Sequence, residues 1–69
     1  MKKFYCVVTE LDDDDDGAVY LYYAKCTYKP VNTLEQWPGV TRYKDWYETA
    51  AVAKIALRKI KKTFEAAHG

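Results

Sequence analysis

The stretch that decides the fold is FYCVVTELDDDDDGAVYLYY, which runs from Phe4 to Tyr23. Its opening residues, Phe4 to Thr9, and a second run, Ala18 to Tyr28, are rich in the β-branched and aromatic residues that favour strands. Five consecutive aspartates and Gly17 separate the two runs. Because clustered like charges repel one another and stay in water, this stretch predicts a β-hairpin with a solvated acidic loop.

The register of the hairpin decides which side chains share a face of the sheet. We expect Leu11 to pair with Ala18, and a slip by one residue would exchange the two faces of one strand. In this register one face carries Phe4, Cys6, Val8, Val19, Leu21 and Tyr23. The other face carries Tyr5, Val7, Thr9, Tyr20, Tyr22, Ala24, Cys26 and Tyr28.

The middle of the chain predicts a connection and a short third strand. Pro30 ends the second run, and Asn32 or Thr33 followed by Leu34-Glu35-Gln36 is typical of the start of one helical turn. Trp37-Pro38-Gly39 predicts a turn. The alternating, β-branched segment from Val40 to Tyr43 then predicts a strand that joins the hairpin, since a lone hairpin is marginal in water.

The last third of the chain predicts an amphipathic helix. Thr49 and Asp45 are competing N-cap residues for its start. At about 100° per residue, an apolar stripe faces one side of the helix. The stripe consists of Ala50, Ala53, Leu57, Ile60 and Phe64, flanked by Ala56. The predicted fold is α+β: a single domain over residues 1–69, with a three-stranded antiparallel sheet and one C-terminal helix packed on one face.

Length and residue types argue against several functions. A chain of 69 residues forms one domain with a thin core. No catalytic set, glycine-rich phosphate loop or metal-ligand spacing is present, and we expect His68, one residue from the end of the sequence, to be frayed and not catalytic. Cys6 and Cys26 face opposite sides of the expected sheet, so we expect free thiols. These features predict a cytoplasmic, non-enzymatic protein that has no cofactor, metal or membrane span.

The acidic run has three interpretations. Asp12, Asp14, Asp16 and Gly17 match the first half of an EF-hand calcium loop, but Tyr23 occupies the twelfth position, where the bidentate glutamate belongs. Calcium is therefore disfavoured. The run is either a solvated loop or an acidic binding surface that imitates phosphates and meets a basic groove. The residues of that surface would be Asp12, Asp13, Asp14, Asp15 and Asp16.

Two further surfaces are candidates for binding. Since one helix covers one side of the sheet, the other side would expose Tyr5, Tyr20 and Tyr22, and exposed aromatic patches are typical of interfaces. The second surface is basic, because residues 24–69 hold nine basic and four acidic residues whereas residues 1–23 hold two and six. The helix contributes Lys54, Arg58, Lys59, Lys61 and Lys62, either as a solvated face or as a site for phosphate or an anionic membrane surface.

The order of these elements resembles that of small phage and mobile-element proteins, some of which are anti-CRISPR proteins. The likeness rests on the strand from Lys3 to Val8, the acidic turn, the Tyr-rich strand from Val19 to Tyr23 and the Thr-capped helix from Thr49 to Phe64. It implies a non-enzymatic inhibitor that docks on a CRISPR–Cas effector in the host cytoplasm. Many such inhibitors imitate DNA, and the net charge of +1 limits mimicry here to the acidic run.

Two alternatives to the inhibitor stay open. The first is a small nucleic-acid-binding accessory protein that uses the basic helix residues Lys54, Arg58, Lys59 and Lys62. The second is a self-associating structural module that buries its tyrosine face in a dimer. The expected oligomeric state is accordingly a monomer or a weak homodimer.

Overall fold

Four strands and one helix make up the computed structural model, which describes residues 1–12 and 17–68, with side chains described as far as Glu65. The elements are β1 (Lys2–Asp12), β2 (Gly17–Cys26), β3 (Thr33–Trp37), β4 (Val40–Tyr47) and α1 (Ala50–His68). The strands form an antiparallel sheet in the order β2-β1-β4-β3. The α+β class and the C-terminal helix are confirmed, but the sheet has four strands rather than three.

Strand β1 lies inside the sheet and is apolar on both of its faces. It pairs with β2 on one side and with β4 on the other. Cys6, Val7 and Val8 are completely buried, and Phe4 is 6% exposed. The run from Phe4 to Thr9 inside β1 holds six uncharged residues and can be covered on both faces, which allows β1 to serve as the centre of the sheet.

Strand β3 replaces the predicted helical turn. The segment from Thr33 to Trp37 is extended and pairs with β4 from Lys44 to Val40. The local capping pattern indicated a helix, but a single turn satisfies few backbone groups, whereas an edge strand gains a ladder of hydrogen bonds. Tertiary pairing therefore overrides the local preference.

Strand β4 extends beyond the predicted segment of residues 40–43, because its pairing with β1 continues along its whole length. Residues 44–47 lie opposite Val8 to Tyr5. The turn before β4 is confirmed: Gly39 has φ 85°, a left-handed conformation that glycine adopts without strain. Just before β3, Asn32 Oδ1 accepts a hydrogen bond of 2.8 Å from the backbone N–H of Trp46.

The register of the hairpin differs from the predicted one by one residue. Leu11 pairs with Gly17 rather than with Ala18, and Val8 pairs with Tyr20. Since side chains alternate along a strand, every residue of β2 changes face relative to the prediction. Tyr20 and Tyr22 therefore lie on the same face as Cys6 and Val8, and Val19 and Leu21 lie on the face of Val7.

Helix α1 covers the face that carries Val7, Val19 and Leu21, which we call the covered face. Its aromatic residue Phe64 lies against Gly17, at the start of β2. Ala53 is completely buried, and the rest of the predicted apolar stripe is half-buried, which confirms the predicted orientation of the helix. The opposite side, which carries Cys6, Val8, Tyr20 and Tyr22, is the open face.

The start of the helix is set by Thr49 rather than by Asp45. The Thr49 hydroxyl accepts a hydrogen bond of 3.2 Å from the N–H of Val52, and the Thr49 carbonyl accepts one of 3.1 Å from Ala53. This is the geometry of an N-cap. Asp45 instead belongs to β4, where it pairs with Val7.

Candidate interaction site on the open face

Aromatic rings stand on the open face at both edges of the sheet. Tyr20 is 43% exposed and Tyr22 37% exposed on β2, and Trp37 is 49% exposed on β3. Trp46 is half-buried on β4, and its ring meets that of Tyr22 edge to face, with the centroids 5.6 Å apart. No helix or strand in the part of the chain that the structure describes covers these rings, so they form an accessible aromatic surface.

Tyr22 also shields a buried thiol. Cys6 lies opposite both Tyr22 and Trp46 in the sheet and is completely buried. Burial raises the pKa of the Cys6 thiol. Loss of solvent contact, followed by a hydrogen bond to Cys6, raises the pKa of Tyr22 to about 12. Both groups are therefore neutral at physiological pH, and the thiol is chemically inert rather than nucleophilic.

A network of ion pairs crosses the open face between the two aromatic edges. Arg42 Nε on β4 donates to Glu10 Oε1 on β1 at 2.9 Å. Arg42 also lies 3.6 Å from Glu35 on β3, which Lys44 contacts at 3.1 Å. The guanidinium of Arg42 stands 5.0 Å from the centre of the Trp37 ring. Two acids and two bases thus compensate one another, and the middle of the face carries no net charge.

The acidic end of the hairpin adjoins this aromatic surface. Glu10 and Asp12 alternate with Leu11 on β1, so both belong to the open face together with Tyr20. The Tyr20 hydroxyl donates to Glu10 Oε1 at 3.1 Å, and a shallow depression of about 380 Å³ here is lined by Glu10, Asp12, Ala18, Val40 and Arg42, among others. The predicted site residues Asp13, Asp14, Asp15 and Asp16 lie outside the described residues.

The predicted tyrosine face is only partly correct. Tyr20 and Tyr22 share the open face as expected, but Tyr5 lies on the covered face, where it pairs with Tyr23 and Tyr47. Tyr5 is half-buried, and its ring centroid is 6.4 Å from that of Tyr23. The one-residue difference in register causes this separation and removes Tyr5 from the candidate site.

The two cysteines lie on the same face, contrary to the prediction of opposite faces, and both are free. Cys26 pairs with Lys2, four residues along β2 from Tyr22, which is the partner of Cys6. At about 3.4 Å per residue the two cysteines are roughly 14 Å apart, well beyond the reach of a disulfide. Distance along the strand, and not the face, keeps these thiols apart.

Sequence reasoning missed the residues of β3 and β4 that complete the open face. Trp37 was assigned to a turn, and Trp46 lay beyond the predicted end of the third strand. The aromatic residues Tyr43, Trp46 and Tyr47, which favour strands, are the signal that could have extended the strand. The charge pairing of Glu35 with Lys44 and Arg42 becomes visible only once β3 is placed beside β4.

The basic residues of α1 form a separate surface. Lys54, Arg58, Lys61 and Lys62 are all exposed and lie within an arc of roughly 100° of the helix, with Lys59 beyond it. Glu65 lies within the same arc. This surface belongs to the opposite side of the molecule from the open face, because the helix packs on the covered face.

The described chain offers no sign of a metal site or a membrane span. Among residues 1–12 and 17–65, no group of three or more His, Cys, Asp and Glu side chains could hold a metal ion. The helix, as far as it is described, is not apolar enough to cross a membrane. Comparison of the chain with protein-family models, with curated proteins and with solved structures finds no match.

Proposed function

We propose that this chain is a small non-enzymatic inhibitor of the anti-CRISPR kind, which binds a nucleic-acid-binding protein through its open face and the acidic run of residues 12–16. The observation that supports the proposal is that the aromatic surface and the acidic surface are continuous on the open face. Tyr20 and Tyr22 supply exposed aromatic area, and Glu10 and Asp12 extend the same face toward the acidic run. The proposed partner is a CRISPR–Cas effector in the host cytoplasm, the class that the resemblance in the order of the elements implies.

The two parts of this surface have different physical roles. The five aspartates at positions 12–16 are a dense negative charge that attracts the lysines and arginines of a nucleic-acid channel. Charge of this kind increases the rate of association more than the lifetime of the complex. The tyrosine rings provide the apolar contact that slows dissociation, as buried aromatic residues do at interface centres.

The experiment that tests the proposal measures binding kinetics against a panel of purified CRISPR–Cas effectors. Changing Asp13, Asp14 and Asp15 together to asparagine should lower the association rate at low salt, and the loss should shrink as salt rises, because the Debye length is about 8 Å at physiological ionic strength. An association rate that is unchanged at low salt would contradict the mechanism.

A second variant tests the aromatic contribution. Tyr20→Ala should accelerate dissociation, since it removes a ring from the interface; because Tyr20 also pairs with the buried Val8, circular dichroism checks that the variant is folded. Tyr28→Ala is the matched control, because Tyr28 is 83% exposed but lies beyond the end of β2. Equal dissociation rates for the two variants would exclude the open face as the contact surface.

Nucleic-acid binding is the second candidate function, and the five exposed cations of α1 favour it. Replacing Arg58 and Lys62 with alanine should then weaken binding to duplex or single-stranded oligonucleotides and flatten its salt dependence. The triple asparagine variant should strengthen that binding, because it removes repulsion from phosphates. The two functions therefore predict opposite effects of one variant.

A further inference from the structure

The two edges of the sheet differ in how well they are protected against pairing with another strand. Strand β3 is five residues long, carries Glu35 at its centre and is followed by Pro38. Strand β2 is ten residues long, contains no proline, and has Lys25 as its one charged residue. Long uncharged edges expose unpaired N–H and C=O groups and are templates for strand addition, which proteins ordinarily block with charge or proline.

The side chains of β2 are also incompletely covered on both faces. Val19 and Leu21 are half-buried although α1 lies on their face, and Tyr23 on the same face is 57% exposed. Tyr20 and Tyr22 are exposed on the other face. A strand added beside β2 would cover apolar surface on both sides of the sheet at once.

The charges at the two ends of the hairpin indicate which strand would fit beside β2. Asp12 ends β1, and the run that it begins leads into Gly17 of β2. At the other end, roughly 34 Å away at about 3.4 Å per residue, a cleft is lined by Lys2, Lys3 and Lys29, with Glu48 as the one acid in it. A second copy that runs antiparallel brings each acidic end beside the basic end of its partner, whereas a parallel copy would set like charges together.

We propose that two copies of this chain associate through β2, antiparallel and with Leu21 at the centre of the pairing. Paired residues must share a face, so Tyr20 lies opposite Tyr22 of the partner subunit, and Val19 opposite Tyr23 of the partner subunit. In this register Lys25 reaches Gly17 of the partner subunit, next to the acidic run. Centring on Tyr22 instead would set Lys25 against Val19, an unfavourable neighbour for a charge.

The dimer goes beyond the proposed function and does not rest on it. A two-fold axis perpendicular to the sheet keeps both open faces on the same side. The two four-stranded sheets become one continuous sheet, which carries the aromatic rings of both copies on a single surface. The second copy of the chain pairs with the edge of β2 through main-chain hydrogen bonds, as in other strand additions.

Sedimentation of the full chain over a range of concentrations tests this dimer. We expect the mass to rise from 8.0 kDa toward twice that value. The double variant Tyr20→Lys, Tyr22→Lys sets like charges opposite one another at two symmetric pairs and should raise the dimer dissociation constant about tenfold or more. The double variant Tyr20→Lys, Tyr22→Glu sets opposite charges there and should keep the dimer.

The controls make each outcome decisive. Gln36→Lys on the β3 edge should leave association unchanged, and circular dichroism checks that every variant is folded. A mass of one chain at all concentrations would overturn the proposal. So would a dimer that both double variants disrupt equally, or one that neither disrupts, because the pairing of Tyr20 with Tyr22 would then be absent.

Discussion

On the covered face of the sheet, Val7 is fully buried because helix α1 lies across it, whereas on the open face Val8 and Cys6 are equally buried although no helix or strand of the described chain covers them. Their cover consists of side chains from neighbouring strands, chiefly Tyr20, Tyr22 and Trp46. On the covered face, the helix buries the core residues and replaces their surface with its own outer side. On the open face, the side chains that bury the core residues are themselves accessible to solvent. The same aromatic side chains therefore contribute to the stability of the fold and remain available to a partner.

The largest expected effect comes from breaking the helix contact of the covered face. Ala53 is completely buried against the sheet, and Ala53→Asp would bury an unpaired carboxylate there. We expect a loss of about 3–5 kcal/mol in the free energy of unfolding, enough to unfold much of so small a domain. Chemical denaturation measures this effect.

The adjacent residue provides the control. Val52 is 50% exposed in the first turn of the helix, where a negative charge is favourable. Val52→Asp should change the free energy of unfolding by no more than about 0.5 kcal/mol. Equal losses for the two variants would mean that the helix does not pack through Ala53.

A smaller effect is expected at the far end of the same face, where Gly17 meets Phe64. A Cβ at position 17 would collide with the Phe64 ring and come within 2.8 Å of the Glu10 carbonyl oxygen. Gly17→Ala should therefore cost about 1–3 kcal/mol in the free energy of unfolding.

A double-mutant cycle with Phe64→Ala identifies the cause of that loss. The cost of Gly17→Ala should fall in the Phe64→Ala background, because part of the collision is then removed. Strictly additive losses would contradict the contact between Phe64 of the helix and Gly17 of β2. Ala18→Val, on an exposed neighbour, is the control for the added volume.

The open face can be broken by removing its side-chain cover. Tyr22→Ala should cost the edge-to-face contact with Trp46, about 0.5–1.5 kcal/mol, and should expose the Cys6 thiol. Thiol-labelling rates under native conditions measure that exposure, with Cys26→Ser in every variant so that one thiol reports. Tyr23→Ala, a similarly placed change on the covered face, should leave Cys6 protected. Labelling that is not accelerated in Tyr22→Ala would show that other groups shield the thiol.

The last effect concerns the ionisation of Tyr22. It leaves the free energy of unfolding unchanged at neutral pH and appears only at alkaline pH. The pKa of Tyr22 is raised from 10.0 to about 12 in the folded chain. Because the folded state holds the proton more tightly, its contribution to stability is complete below pH 10 and is lost as the pH rises toward 12. Tyr22→Phe should make the unfolding free energy less dependent on pH in this window. Denaturation at a series of pH values measures the difference, and parallel pH profiles would contradict the raised pKa.

Local sequence patterns were sufficient for the elements with strong signals. The two runs around the acidic stretch are strands, and the apolar stripe from Ala50 to Phe64 is the packed side of a helix that Thr49 caps. Each of these signals lies within one element. The turn at Gly39 likewise needs nothing beyond its own residues.

Pairing between strands that are distant in sequence decided the existence of β3 and the register of the hairpin. Residues 33–37 have a weak local preference for a helical turn, and pairing with the neighbouring β4 makes them a strand. The register of β1 and β2 differs by one residue from the predicted one, and this difference places Tyr5 on the face opposite to Tyr20 and Tyr22. Neither result could be read from local patterns, because strand pairing joins residues that are distant in sequence.

The sequence by itself determined that this chain has an amphipathic helix, two strands on either side of an acidic run and a surplus of tyrosine. Only the tertiary structure decided that β1 is central, that β3 exists, and which tyrosines share the open face with Glu10 and Trp46. The physical reason is the range of the interactions involved. Periodicity and capping act within a few residues, whereas the face that a side chain occupies depends on the partner strand and its register.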